Sequence, residues 1–89
     1  MLKTISIAVT GKVQGVWFRK YTQEKAQQLK ITGFVKNVDD SSVFIVATGT
    51  NEQLKELINW CWQGSPKSTV ANVVVQLKER NEFSDFIIE

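Results

Sequence analysis

Gly11-Lys12-Val13-Gln14-Gly15-Val16-Trp17-Phe18-Arg19 marks the point where an alternating pattern gives way to a helical one. Before it, Ile5, Ile7 and Val9 alternate with Thr4, Ser6, Ala8 and Thr10, the period of a half-buried strand. After it, Phe18, Thr22, Ala26 and Leu29 fall on one helical face, and Lys20, Gln23, Gln27 and Lys30 point away. The junction is built like an anion cradle. Two glycines admit backbone conformations and close approaches that a Cβ obstructs, and a helix N-terminus presents unpaired N–H groups at the positive end of its dipole. No Ser, Thr, Asp or Asn lies between Gly11 and Arg19 to cap those groups, so they are left for a ligand or water. Arg19 adds a planar charged fork.

Outward from the junction, the first helix is expected to end near Lys30, with a poorly marked stop because Gly33 comes late for a C-cap. Gly33-Phe34-Val35-Lys36-Asn37 and Val43-Phe44-Ile45-Val46-Ala47-Thr48 read as a hairpin joined by Asp39-Asp40-Ser41-Ser42. Those adjacent aspartates suit a turn better than a metal site or acid–base pair. Thr50 and Gln53 form a capping box for a second helix carrying Leu54, Leu57, Ile58 and Cys61 on one stripe, with Trp60 and Trp62 beside it. Gly64-Ser65-Pro66 ends that helix. Val73, Val75 and Leu77 alternate into a fourth strand, and Phe83 to Ile88 reads as a short fifth. Strand-helix-strand twice plus a last strand fits an α+β two-layer split βαβ (ferredoxin-like) sandwich, an antiparallel sheet with both helices on one face. Residues 1–89 are expected to form one domain.

Composition narrows the chemistry. One cysteine and no histidine exclude an internal disulfide, a Cys/His zinc cluster and a His-based triad, so no metal and no cofactor is expected. Cys61, on the core stripe, has no base to activate it. The opening Met1 to Ile7 has no apolar run long enough for a signal peptide, which reads as a cytoplasmic protein without membrane attachment. Net charge is only +2, too small to argue for nucleic acid, yet residues 1–36 hold seven Lys or Arg against one Glu. The cradle lies in that basic stretch, which suits a small anion. With no histidine, no metal cluster and no credible cysteine nucleophile, a fitting reaction needs little proton transfer.

Gly11, Val13, Gln14, Gly15, Val16, Phe18 and Arg19 also match the signature G-x-V-Q-G-V-x-F-R, and on this string the chain resembles the acylphosphatase family. The resemblance implies hydrolysis of a small acyl phosphate to carboxylate and phosphate by direct, metal-independent attack of water. It assigns Arg19 to the substrate phosphate and Asn37 to the attacking water. It surrounds the phosphate oxygens with the backbone of Gln14, Gly15, Val16, Trp17 and Phe18, where inorganic phosphate or sulfate would compete. One departure is Ser41, at a turn position where the family commonly has glycine; at positive φ it costs on the order of 1 kcal/mol. Lys30 likewise stands where the family often has glycine. Two other readings are an RNA-recognition domain with Phe44 on an open sheet face, although no RNP1 string is present, and an acylphosphatase-like domain of a larger carbamoyltransferase.

Overall fold

The computed structural model describes residues 1–89. In chain order the elements are β1 (Lys3–Lys12), α1 (Phe18–Gln28), β2 (Thr32–Asn37), β3 (Val43–Gly49), α2 (Asn51–Gln63), β4 (Thr69–Lys78) and β5 (Phe86–Ile88). They form one sheet of order β4-β1-β3-β2-β5. β1 faces β3 with Ile5, Ile7 and Val9 opposite Ala47, Ile45 and Val43, so the alternation of both strands delivers one apolar face. α1 and α2 cover that face. Phe18, Ala26, Leu54, Leu57 and Cys61 are buried against it, and Trp60 packs tilted on Phe18 at 5.3 Å.

The four longer strands are antiparallel to their neighbours, whereas β5 is parallel to β2, so the sheet is mixed and not wholly antiparallel. Strand direction explains this. β4 runs opposite to β1 and β2, and the chain crosses from the end of β4 to the far edge without turning back. It must therefore start β5 at the end where β2 starts. The crossing lies over the face without helices: Asn81 donates its N–H to Thr4 Oγ1 at 2.9 Å, and Thr48 Oγ1 donates to the Asn81 carbonyl at 2.6 Å. Phe83 belongs to this crossing and not to the fifth strand; its ring stands edge-on to Phe34 at 6.0 Å. Val75 and Leu77 sit in register with Ile7 and Ile5, as their alternation predicts, but at the sheet edge both stay exposed. Gln23, expected to point away, is half-buried and donates to the Phe86 carbonyl at 3.1 Å.

Both helix ends and the hairpin turn show how local chemistry sets the boundaries. The α2 capping box forms in both directions, Gln53 N–H to Thr50 Oγ1 and Thr50 N–H to Gln53 Oε1. α1 stops earlier than Lys30 in a Schellman closure: Lys30 N–H donates to the Gln27 carbonyl and Ile31 N–H to the Ala26 carbonyl. Lys30 takes the left-handed position, at φ 61°, and Ser41 does the same in the β2–β3 turn at φ 75°. Asp40 is the turn former it was read as, accepting from Ser42 N–H and Oγ. The Ser42 hydroxyl, and then its N–H, hold the Asp40 carboxyl below the ordinary carboxylate range. Because a Cβ disfavours left-handed backbone, Lys30→Gly and Ser41→Gly should each stabilise the fold by about 1 kcal/mol. Thermal melts would read this as a rise of roughly 4–8 °C for each; an unchanged Tm would mean that the turns carry no strain.

Candidate active site

The loop between β1 and α1 is shaped by inward and outward alternation. Val13, Val16 and Phe18 are buried, while Gly15 and Trp17 face solvent. Gly11, at φ 123°, sits at a register shift between β1 and β4, where a Cβ would collide with the Thr69 carbonyl oxygen. Gly15, at φ 71°, has open space around it, so there the backbone angle alone asks for glycine. Trp17 is also left-handed, at φ 65°, and as N-cap of α1 it offers no side-chain cap. Consequently none of the backbone N–H groups from Gln14 to Lys20 donates a hydrogen bond within the protein. Seven consecutive donors are left without an internal acceptor at a helix N-terminus.

Two braces hold the loop in place, and the sequence reading missed both. Gln14 Nε2 donates to the carbonyls of Val38 and Ser42, each at 2.8 Å, tying the loop to the β2–β3 turn. Its side chain is thus committed to the fold, and only its main chain faces the cradle. Ser65, buried in what reads as a helix stop, donates its hydroxyl to the Val16 carbonyl at 2.8 Å. Neither brace leaves a mark in the sequence, since all three acceptors are carbonyls and every residue has one.

One cavity of 370 Å³ gathers Val13, Gly15, Trp17, Phe18, Arg19, Lys20, Asn37 and Ile88. Its wall holds two cations and no carboxylate side chain. Arg19, on the first turn of α1, donates to the main-chain oxygen of Glu89 at 3.4 Å, just past the end of β5. Asn37 ends β2, and its Oδ1 is buried without a hydrogen-bond partner. An orphaned buried acceptor beside a row of free donors has the polarity for a water and an anion side by side. No group of three or more His, Cys, Asp or Glu is placed to hold a metal ion. Burial pushes the Cys61 thiol up to about 12, so it stays a protonated core side chain far from nucleophilic character.

The acylphosphatase family model matches residues 5–88. The chain belongs to the acylphosphatase family. Its relatives include the acylphosphatase of Shewanella amazonensis, 46% identical over 88 residues, which span 98% of this chain and 97% of the relative. Among solved structures, an acylphosphatase from Coxiella burnetii superposes with a TM-score of 0.96 at 38% identity, covering 99% of this chain and 93% of that one. The acylphosphatase from Bacillus subtilis gives 0.94 at 38% identity, covering 100% and 99%. The enzyme is accordingly a hydrolase of acyl phosphates. The RNA-recognition reading falls with this assignment.

The Gln14 brace yields a test of how the loop is held. Gln14→Leu removes two hydrogen bonds at about 1 kcal/mol each, so the urea midpoint should fall. Acyl phosphate hydrolysis should fall with it by about tenfold or more, because the donors lose their fixed aim. A variant with parental rate and stability would make the two contacts incidental.

Proposed function

We propose that the loop backbone from Gln14 to Phe18 and the Arg19 guanidinium bind the phosphoryl group of the acyl phosphate, and that Asn37 holds the attacking water. The observation that carries this reading is that Asn37, whose Oδ1 has no hydrogen-bond partner, lines the same cavity as Arg19 and the loop residues Gly15, Trp17 and Phe18. An amide oxygen accepts a hydrogen bond from water and so fixes its lone pair toward phosphorus. The water oxygen forms its bond to phosphorus as the bond from phosphorus to the acyl oxygen breaks. The electron pair leaves on the carboxylate, and the water proton passes to phosphate or solvent. The leaving group needs no acid because a carboxylate is stable near neutral pH. Phosphoryl transfer through a loose transition state then asks mainly for placement and for donors around the equatorial oxygens. No metal and no covalent intermediate has a part in this scheme. Inorganic phosphate and sulfate are expected to compete, and the setting is cytoplasmic.

Arg19 and Asn37 can be separated by kinetics. Asn37→Ala should lower kcat far more than it weakens competition by phosphate, since binding stays with the loop and Arg19. Arg19→Lys should be nearly as damaging as Arg19→Ala, because an ammonium cannot donate two parallel hydrogen bonds, and misplacing the charge by about 1 Å costs on the order of 100-fold. Steady-state hydrolysis of acetyl phosphate, with excess chelator present, measures all three. A lysine variant of parental rate, an unaffected Asn37→Ala, or loss of parental activity to chelator would each contradict the scheme.

A further inference from the structure

Ser65, just past the end of α2, is 3% exposed, and its hydroxyl donates to the Val16 carbonyl at 2.8 Å. That carbonyl accepts no other hydrogen bond. We propose that this bond aims the Trp17 N–H at the phosphoryl group, which makes Ser65 a positioning residue for hydrolysis as well as a brace of the fold. The proposal rests on the loop main chain binding the phosphoryl group, and it names what holds one of those donors in its working direction.

Three observations lead there. The first is peptide geometry. The Val16 carbonyl and the Trp17 N–H belong to one peptide unit, and in a trans peptide the two point in opposite directions. The carbonyl points to Ser65, so the N–H points away from it. Val16 and Pro66 line a cavity on the Ser65 side, whereas Arg19 and Asn37 line a different one, to which Trp17 also belongs. Turned from Ser65, the N–H faces the side that holds Arg19 and Asn37. The second is strain. Trp17 is left-handed at φ 65° and its side chain makes no cap, so nothing of its own supports that backbone. Any turn of the Val16–Trp17 peptide that carries Trp17 back toward ordinary φ also swings its N–H, and the Ser65 hydroxyl opposes the turn by holding the carbonyl. The third is rigidity of the donor. The Ser65 carbonyl accepts the Ser68 N–H at 3.0 Å and the Ser68 hydroxyl at 2.7 Å, and Pro66, with its fixed φ, follows directly. A hydroxyl fixed in this way sets the direction of the loop peptide and does not follow it.

The test follows kcat/KM for acetyl phosphate, the urea midpoint and the response of loop amide resonances to inorganic phosphate in the parent, Ser65→Ala, Ser65→Cys, Ser65→Thr and Ser68→Ala. Ser65→Ala should lose about tenfold to a hundredfold in kcat/KM, the order expected of one misdirected donor among several. Its Trp17 amide should no longer respond to phosphate, while those of Gly15 and Phe18 still do. Ser65→Cys fills the same space with a poor donor and should lose rate as alanine does. Ser65→Thr keeps a hydroxyl and should recover most of the rate. Ser68→Ala loosens the same turn but leaves Val16 its donor, so it should lower the midpoint with kcat/KM within about twofold of the parent. A parental rate in Ser65→Ala and Ser65→Cys, a Trp17 amide that still follows phosphate in them, or rate losses that track the midpoint across all the variants would overturn the positioning role. A parent whose loop amides ignore phosphate would instead overturn the reading of the cradle on which the proposal rests.

Discussion

Seven consecutive main-chain N–H groups without an internal partner are the constraint on which the rest depends. A fold normally gives nearly all such groups an acceptor, because each one left unmade costs free energy. Here the chain is arranged to keep the N–H groups of Gln14 to Lys20 without an internal acceptor. Left-handed backbone at Gly15 and Trp17 sets the curvature, and buried Val13 and Val16 pull the loop inward between the exposed residues. Gln14 and Ser65 then fasten it from two sides. Strain at Trp17, on the order of 1–3 kcal/mol for such a residue, is held by that packing.

The distribution of roles across elements follows from topology. β1 and β2 run in the same direction with β3 between them, so the end of β2 lies at the same sheet end as the start of α1. That places Asn37 opposite Arg19 although eighteen positions separate them in sequence. β5, parallel to β2, brings Ile88 to the cavity wall and the Glu89 main-chain oxygen to Arg19. The site is therefore assembled from three strand ends and one helix start. Each of these is anchored in the core, which is what a reaction without acid–base side chains requires, since preorganised donors supply most of its transition-state stabilisation.

Much of this was legible in the residues because periodicity and local chemistry agree. Ile5, Ile7 and Val9 reported β1, Phe18, Thr22 and Ala26 reported the buried face of α1, and Thr50 with Gln53 reported the start of α2. Positive φ at Ser41 was legible only from the family pattern. What escaped were features fixed by distant parts of the chain. The parallel pairing of β5 comes from the crossing over the open face, and the anchoring of Phe83 there depends on Phe34, far away in sequence. The end of α1 was blurred because a lysine occupies a place suited to glycine. For the site, Arg19, Asn37, Gly15, Trp17 and Phe18 line one cavity, whereas Gln14 and Val16 do not, and Ser65, Lys20 and Ile88 had no local signature to set them apart from ordinary helix-stop, surface and strand residues.

The central claim is that an anion is held chiefly by the main chain of this loop, and titrating the protein with inorganic phosphate while following backbone amide resonances tests it most directly. Saturable downfield movement of the amide protons from Gly15 to Arg19, together with the Asn37 side-chain amide, is the expected result. Weaker binding in Arg19→Ala, with the same loop amides still responding, would locate the arginine as an added clamp on a main-chain site. Shifts confined to the lysine-bearing surface of α1 or to the face crossed by residues 79–85, with the loop amides unmoved, would contradict the account.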